Sequence, residues 1–268
     1  MQHKLVHRSI LEFQRFLLNW YQKQGRNLPW RKTTNPYHIL VAEIMLQQTQ
    51  VDRVILKYGA FLQKFPALQD LAVAPTAEVL KLWTGLGYNS RALRLQKAAQ
   101  VLSGKRSFPK KAEELLELPG IGPYTCRSIL IFAFNQNEVT VDTNIRRVFI
   151  HELGLKEDAS EKELWEFAEK CLPQGKSRDW HNALMDYGAT LLTARRTGVK
   201  SLGKQSTFAG SRRWYRGDLV KKLVNGENLT FGTLERVWKK EKNWVVELVQ
   251  GMEKEGLVTL EKGKVRLG

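Results

Sequence analysis

Three short segments of the 268-residue chain carry residues whose types and spacing could do chemistry. The sharpest is Leu118-Pro119-Gly120-Ile121-Gly122-Pro123-Tyr124-Thr125. Two glycines two apart, between helical stretches, make a tight turn with no side chain in the way. Backbone amides at the start of the following helix can then hold a phosphate. An ordinary helix–helix turn would look much the same. About twenty residues on, Asp142 stands in Val139-Thr140-Val141-Asp142-Thr143-Asn144, between a short apolar run and a helix. It can cap that helix, and the helix amides and dipole would keep its carboxylate ionised. Facing a sugar, an ionised carboxylate stabilises developing positive charge. Glu43 is the third candidate, in an otherwise apolar helical stretch of Ile39, Leu40, Val41, Ile44, Met45 and Leu46. A carboxyl in such surroundings should have a raised pKa and could donate a proton near neutrality. A Glu at the helix edge, reaching water, fits the same stretch, and the segment alone leaves both open.

The rest of the chain sets the context for these segments. Lys+Arg number 43 against 27 Asp+Glu, a net charge of +16, as expected of a protein that meets a polyanion, usually nucleic acid. Residues 91–111 and 187–217 each hold seven basic residues and no acid. This charge and the helical flanks favour reading residues 118–125 as a helix–hairpin–helix grip on a DNA backbone. No apolar run approaches a membrane span, and the amino-terminal stretch is not a secretory signal. Two cysteines, Cys126 and Cys171, exclude a disulfide framework and suit a reducing cytosol. Residues 1–193 read as nearly all helix. Asn35-Pro36 caps and opens a helix to about Thr49. Further helices are predicted over 51–64, 76–84, 88–102, 110–117, 123–134, 144–153, 160–171 and 177–193. Periodicity lapses from Thr197 to Ser211, which places a linker there and a domain boundary near residue 205. Beyond it, helices over 212–224, about 230–240 and 243–255 precede a hairpin over 257–267, as in a winged-helix module.

These residues together resemble the helix-hairpin-helix (HhH-GPD) base-excision DNA glycosylases, and most closely their adenine (MutY-type) branch. The resemblance runs through Leu-Pro-Trp-Arg at 28–31, Glu-Ile-Met-Leu-Gln-Gln-Thr-Gln at 43–50, Trp-Thr-Gly-Leu-Gly-Tyr at 83–88, the 118–125 turn, Val-Asp-Thr-Asn at 141–144 and Met-Asp-Tyr-Gly-Ala at 185–189. It implies an all-α, two-lobed glycosylase domain over 1–205, with a helical barrel over about 25–134 and a second lobe from 1–24 and 135–193. A small α+β winged-helix-like module over 206–268 would follow. It implies Glu43 as the general acid that protonates the adenine ring and then activates the nucleophile, and Asp142 as the carboxylate that stabilises the sugar cation. Tyr124 and Asn144 resemble residues that hydrogen-bond these carboxylates. Arg26, Leu28 and Trp30 resemble walls of the pocket for the extruded base. Gln48 resembles the wedge that fills its place in the stack, and Thr49, Leu86 and Tyr88 contacts to the opposing purine. DNA-backbone contacts are expected from Gly120, Gly122, Tyr124, Thr125, Arg91, Arg195 and Arg196. Bifunctional relatives carry a lysine where Tyr124 stands, and a phenol cannot form their imine. The resemblance therefore implies a monofunctional glycosylase without strong lyase activity.

The chain departs from the family twice. Most members carry four cysteines for a 4Fe–4S cluster where residues 191–204 have none, so no cluster and no metal ligand set is expected. The resemblance leaves room only for a cation at the hairpin carbonyls near Leu118 and Ile121. The tail, about 63 residues, is also short for the Nudix-like domain that recognises 8-oxoguanine. The expected partner is double-stranded DNA with a mismatched or oxidised pair, bound by a monomer in the cytoplasm at the nucleoid. Two other readings stand beside the adenine one: a thymine/uracil glycosylase acting on G mismatches, and a non-catalytic DNA-damage-binding protein that reuses the fold.

Overall fold

A computed structural model describes residues 8–199 and 207–268 of the chain. In chain order the helices are α1 (Ile10–Gln24), α2 (Pro36–Leu46), α3 (Val51–Lys64), α4 (Leu68–Val73), α5 (Thr76–Trp83), α6 (Ser90–Ser103), α7 (Ala112–Leu116), α8 (Pro123–Phe134), α9 (Thr143–Leu153), α10 (Glu161–Cys171), α11 (Ser177–Thr190) and α12 (Ala194–Thr197). The tail adds α13 (Arg212–Val224), β1 (Leu229–Thr230), α14 (Phe231–Trp238), α15 (Lys242–Lys254), β2 (Val258–Glu261) and β3 (Lys264–Leu267). This is the mainly helical architecture with a small carboxy-terminal sheet that the sequence predicts. Caps fix several starts. Ser9 and Ser160 accept from the third helical amide while Glu12 and Glu163 reach back to the cap amide. The Asn35 side chain accepts from Tyr37 N (2.9 Å) at the head of α2. No helix among the described residues is long and apolar enough to cross a membrane.

The chain clusters into two compact units. The described residues of the first come from the segments Met1–Ile39, Lys110–Leu116 and Ile121–Gln205. Its core joins α1, α9, α10 and α11 through Phe13, Leu17, Val148, Phe149, Cys171, Trp180 and Leu184, all under 2% exposed. Tyr187 takes the edges of Phe13, Phe16 and Trp20 at 5.2–6.2 Å. Each such side chain contributes about 1.5–3 kcal/mol on burial.

The second unit comprises Leu40–Pro109, Glu117–Gly120 and Ser206–Gly268. The segment from residue 206 onward thus clusters with residues 40–109. The tail packs with residues 40–109 because α13 lies against α5. Tyr215, Trp238 and Trp244 meet edge to face, and Trp238 Nε1 donates to Asp218 (2.7 Å). The sheet has strand order β1-β3-β2, antiparallel throughout, with Val258 paired to Leu267 and Leu229 to Val265. β1 was not visible in the sequence, because its two residues are too few to alternate. The stretch read as a linker begins at Thr197, the last residue of α12, while its Lys200 and Lys204 lie outside the described residues.

Candidate functional site

The two candidate carboxylates belong to different units, Glu43 to the second and Asp142 to the first. Glu43 sits on α2 among Leu40, Val41, Ala42, Ile44 and Met45, every one buried, and is itself only 9% exposed. Glu43 is thus largely shielded from water rather than at an exposed helix edge. Past Leu46 the helix stops short of Thr49: Gln48 takes a left-handed φ of 53° and is exposed.

Arg91 explains this ending. It is 5% exposed and donates to the carbonyls of Ile44 (2.8 Å), Met45 (3.0 Å), Gln47 (2.5 Å), Leu86 (3.1 Å) and Gly87 (3.0 Å), and to Thr49 Oγ1 (3.0 Å). One guanidinium thus satisfies the last carbonyls of α2, which have no partner within the helix, and ties them to the 83–88 loop. Burial lowers its pKa to about 10, so it stays charged at neutral pH. The expectation that Arg91 contacts DNA phosphates is corrected: the side chain is buried, and both its terminal amino groups donate inside the unit. The loop it holds turns through positive φ at Gly85 (97°) and Gly87 (75°), which glycine adopts freely, and at Tyr88 (45°), where a bulky side chain makes it unfavourable. Leu86 is buried, Thr49 donates to Leu86 O (3.4 Å), and Tyr88 is 37% exposed. The structure therefore brings Gln48, Thr49, Leu86 and Tyr88 into one assembly.

In the first unit, Asp142 caps α9, accepting from Ile145 N (2.7 Å) and from Asn144 Nδ2 (3.0 Å). Burial nonetheless pushes its carboxyl above the usual Asp range, against the lowering by these donors and by Arg147. The sequence expectation of a carboxylate simply kept ionised by its helix misses this burial. Asn144 is itself placed by Arg147, whose Nη1 donates to Asn144 Oδ1 (3.2 Å), Gly188 O (3.3 Å) and Leu192 O (3.1 Å). Gly188 has to be glycine, since a Cβ there would lie 2.7 Å from Asn144 O. His181 supports the run into Asp142. Its Nε2 accepts from Thr140 N (3.1 Å), Nδ1 donates to Ser177 O (2.7 Å), and burial drops its pKa to about 4, keeping it neutral.

Leu28 and Trp30 are buried, on the same segment as Arg26. Arg26 is less available to line a pocket than expected, because its backbone N (2.7 Å) and Nε (2.6 Å) both donate to Asp186. Arg31 adds a second pair to the same carboxylate through Nη1 (2.5 Å) and Nη2 (2.8 Å). Asp186, fully buried, has its pKa lowered: its desolvation is more than offset by hydrogen bonds and charge from Arg31, then Arg26. It anchors residues 26–31 on α11. Asp186, Arg147 and His181 went unassigned in the sequence; Asp186 lay within the 185–189 motif, a signal that something there mattered.

At the hairpin, Gly120 has φ 84°, and a Cβ would meet Arg94 Cβ at 2.9 Å. Gly122 caps α8, and a Cβ there would meet nothing within 4 Å. Tyr124 is 38% exposed at the head of α8, but Thr125 is buried, which removes its side chain from the expected DNA contacts. Arg195 and Arg196 are exposed on α12, Arg196 donating to Leu191 O (3.2 Å).

Cys126 on α8 donates to Ala112 O (3.6 Å), and burial pushes the Cys171 thiol up to about 12. Two buried thiols on separate helices do not fit the four-thiolate set of a 4Fe–4S cluster. Among the described residues no three His, Cys, Asp or Glu side chains are grouped to hold a metal ion.

Residues 41–174 match the model of the HhH-GPD superfamily of base excision DNA repair proteins. The chain is 40% identical over 188 residues to an adenine DNA glycosylase of Buchnera aphidicola, covering 68% of this chain and 54% of that one. It is 36% identical over 246 residues to an adenine DNA glycosylase of Mycolicibacterium smegmatis, covering 83% and 84% respectively. A solved thermostable thymine-DNA glycosylase superposes with a TM-score of 0.63 at 32% identity, covering 70% of this chain and 89% of the other. The chain spans about half the length of several curated relatives it matches.

Proposed function

The chain belongs to the HhH-GPD superfamily of base excision DNA repair proteins, and on that footing we propose that it is a monofunctional DNA glycosylase that removes adenine mispaired with 8-oxoguanine or guanine. The observation that carries this reading is the burial of Glu43 among apolar side chains of α2, the environment of a proton donor at neutral pH. In this reading Glu43 protonates the departing adenine ring as the N-glycosidic bond breaks. Asp142 meets the positive charge left on the sugar. Water, losing a proton to Glu43, adds to the anomeric carbon and regenerates the acid. Exposed Gln48 takes the place of the extruded base, and Thr49 and Tyr88 face the opposing purine, while Leu86, buried, holds their loop to Arg91. The open amino end of α8 at Gly122 and the exposed Arg195 and Arg196 hold backbone phosphates of double-stranded DNA. Tyr124 offers no amine for an imine, so the products are free adenine and an intact strand with an abasic site. Single-turnover reaction on a duplex with adenine opposite 8-oxoguanine tests this. Strand scission should require added alkali; scission without alkali, trapped by borohydride, would contradict the monofunctional chemistry.

Asp142 also predicts a pH profile. The rate needs its carboxylate ionised, and burial has raised its pKa, so the acid limb lies above the ordinary Asp value. Asn144 Nδ2 favours the ionised form. In Asn144→Ala that pKa rises further, the acid limb moves to higher pH, and the plateau falls about tenfold. An unmoved acid limb would show that another group controls it.

The structural likeness to the thymine-DNA glycosylase supports a second reading, excision of thymine or uracil opposite guanine by the same two carboxylates.

A further inference from the structure

Tyr88 is gripped by two arginines from separate segments of the second unit. Arg91, which holds its loop, has its guanidinium carbon 5.7 Å from the ring centroid. Arg213, on α13, donates to the Tyr88 hydroxyl and lies 5.4 Å from the same ring. Phe208 adds a further ring 6.0 Å from Arg213. Tyr88 needs such restraint. Its left-handed φ of 45° is unfavourable for a bulky residue, and its ring is 37% exposed. A planar guanidinium suits the task, because it can donate to the hydroxyl while lying against an aromatic face. Since α13 packs on α5, the helix leading into the loop, the tail has a fixed base from which to hold Tyr88.

We propose that Arg213 is a positioning residue for Tyr88, and that through it the carboxy-terminal segment sets how strongly the protein distinguishes the base opposite its target. This rests on the reading above, in which Tyr88 faces that base. 8-Oxoguanine and guanine differ by one carbonyl oxygen and one N–H on the same ring edge. A side chain that discriminates between them has to be held in one orientation; a ring released into several contacts both similarly.

The test is single-turnover excision of adenine opposite 8-oxoguanine and opposite guanine by the full chain, Arg213→Ala, Arg213→Lys, Tyr88→Phe and Arg213→Ala/Tyr88→Phe, with thermal unfolding of each. Arg213→Ala should lower the ratio of the two rates about tenfold, the loss of one charge-assisted hydrogen bond. Arg213→Lys, which keeps a cationic donor, should recover most of that ratio at an unchanged melting temperature. In the Tyr88→Phe background, removing Arg213 should change the ratio less than about twofold, because the shared hydrogen bond is already gone. An unchanged ratio in Arg213→Ala, or equal effects in both backgrounds, would overturn the inference while leaving adenine excision intact. A wild-type protein that excises adenine from neither duplex would overturn the underlying reading, and the inference with it.

Discussion

Glu43→Gln should lower single-turnover adenine excision by about 10³-fold or more while the protein still folds and binds duplex DNA. Glutamine keeps the size and hydrogen-bonding shape of the carboxylic acid but has no proton to give to a leaving ring. Glu43 is nearly buried on α2 among apolar neighbours, and this isosteric change leaves no cavity there. The loss should therefore be confined to the rate of bond breaking, with duplex affinity within about threefold and the melting temperature unchanged. Excision and melting curves on the same preparation check this. A variant retaining a tenth of the wild-type rate would place the proton donor elsewhere.

Arg91→Met is expected to be the most damaging substitution for stability in the second unit. Methionine fills much of the arginine's volume but donates nothing. Carbonyls of Ile44, Met45, Gln47, Leu86 and Gly87, with the Thr49 hydroxyl, would all lose a donor within one buried site. Leaving several buried acceptors unsatisfied costs about 3–5 kcal/mol after partial relaxation. In a chain of this size that is a fall of about 10 °C in melting temperature. The damage is directional as well as large, because the freed segments are those bearing Gln48, Thr49, Leu86 and Tyr88. Arg91→Lys should be intermediate, since one ammonium cannot span acceptors from two segments. Thermal unfolding of the three proteins decides it. A melting temperature within 2 °C of wild type for Arg91→Met, by the same size relation, would show that water replaces the guanidinium at little cost.

Arg91 also shows where sequence reasoning stops. Its place in a block of basic residues without an acid suggested a solvated, phosphate-facing side chain. Only the fold shows that this charge is swallowed by helix-end carbonyls far away in sequence. The early end of α2 has the same cause. Nothing in Leu46-Gln47-Gln48-Thr49 breaks a helix, and the left-handed Gln48 is imposed by tertiary bonds. Asp142 was legible as a cap because capping is local, but its raised pKa comes from burial by other elements. α4 escaped because Leu68–Val73 is too short to show a period; Asp70, accepting from Ala67 N (2.8 Å), is its one local mark. Legible throughout were features that short-range physics dictates: the Asn35-Pro36 start, the glycine turn before α8 and the terminal hairpin. Gly120 and Gly188 lie between these classes, since each glycine is plain in the sequence but the neighbour it admits, Arg94 or Asn144, is not.

The most direct test of the adenine reading is a parallel set of single-turnover time courses on duplexes alike but for one pair: adenine opposite 8-oxoguanine, adenine opposite guanine, thymine opposite guanine and uracil opposite guanine. Alkali is added to cut abasic sites, and Glu43→Gln serves as the control. Alkali-dependent cleavage is expected at adenine alone, absent in the control. Cleavage at thymine or uracil with adenine untouched would contradict it and establish the thymine/uracil activity instead.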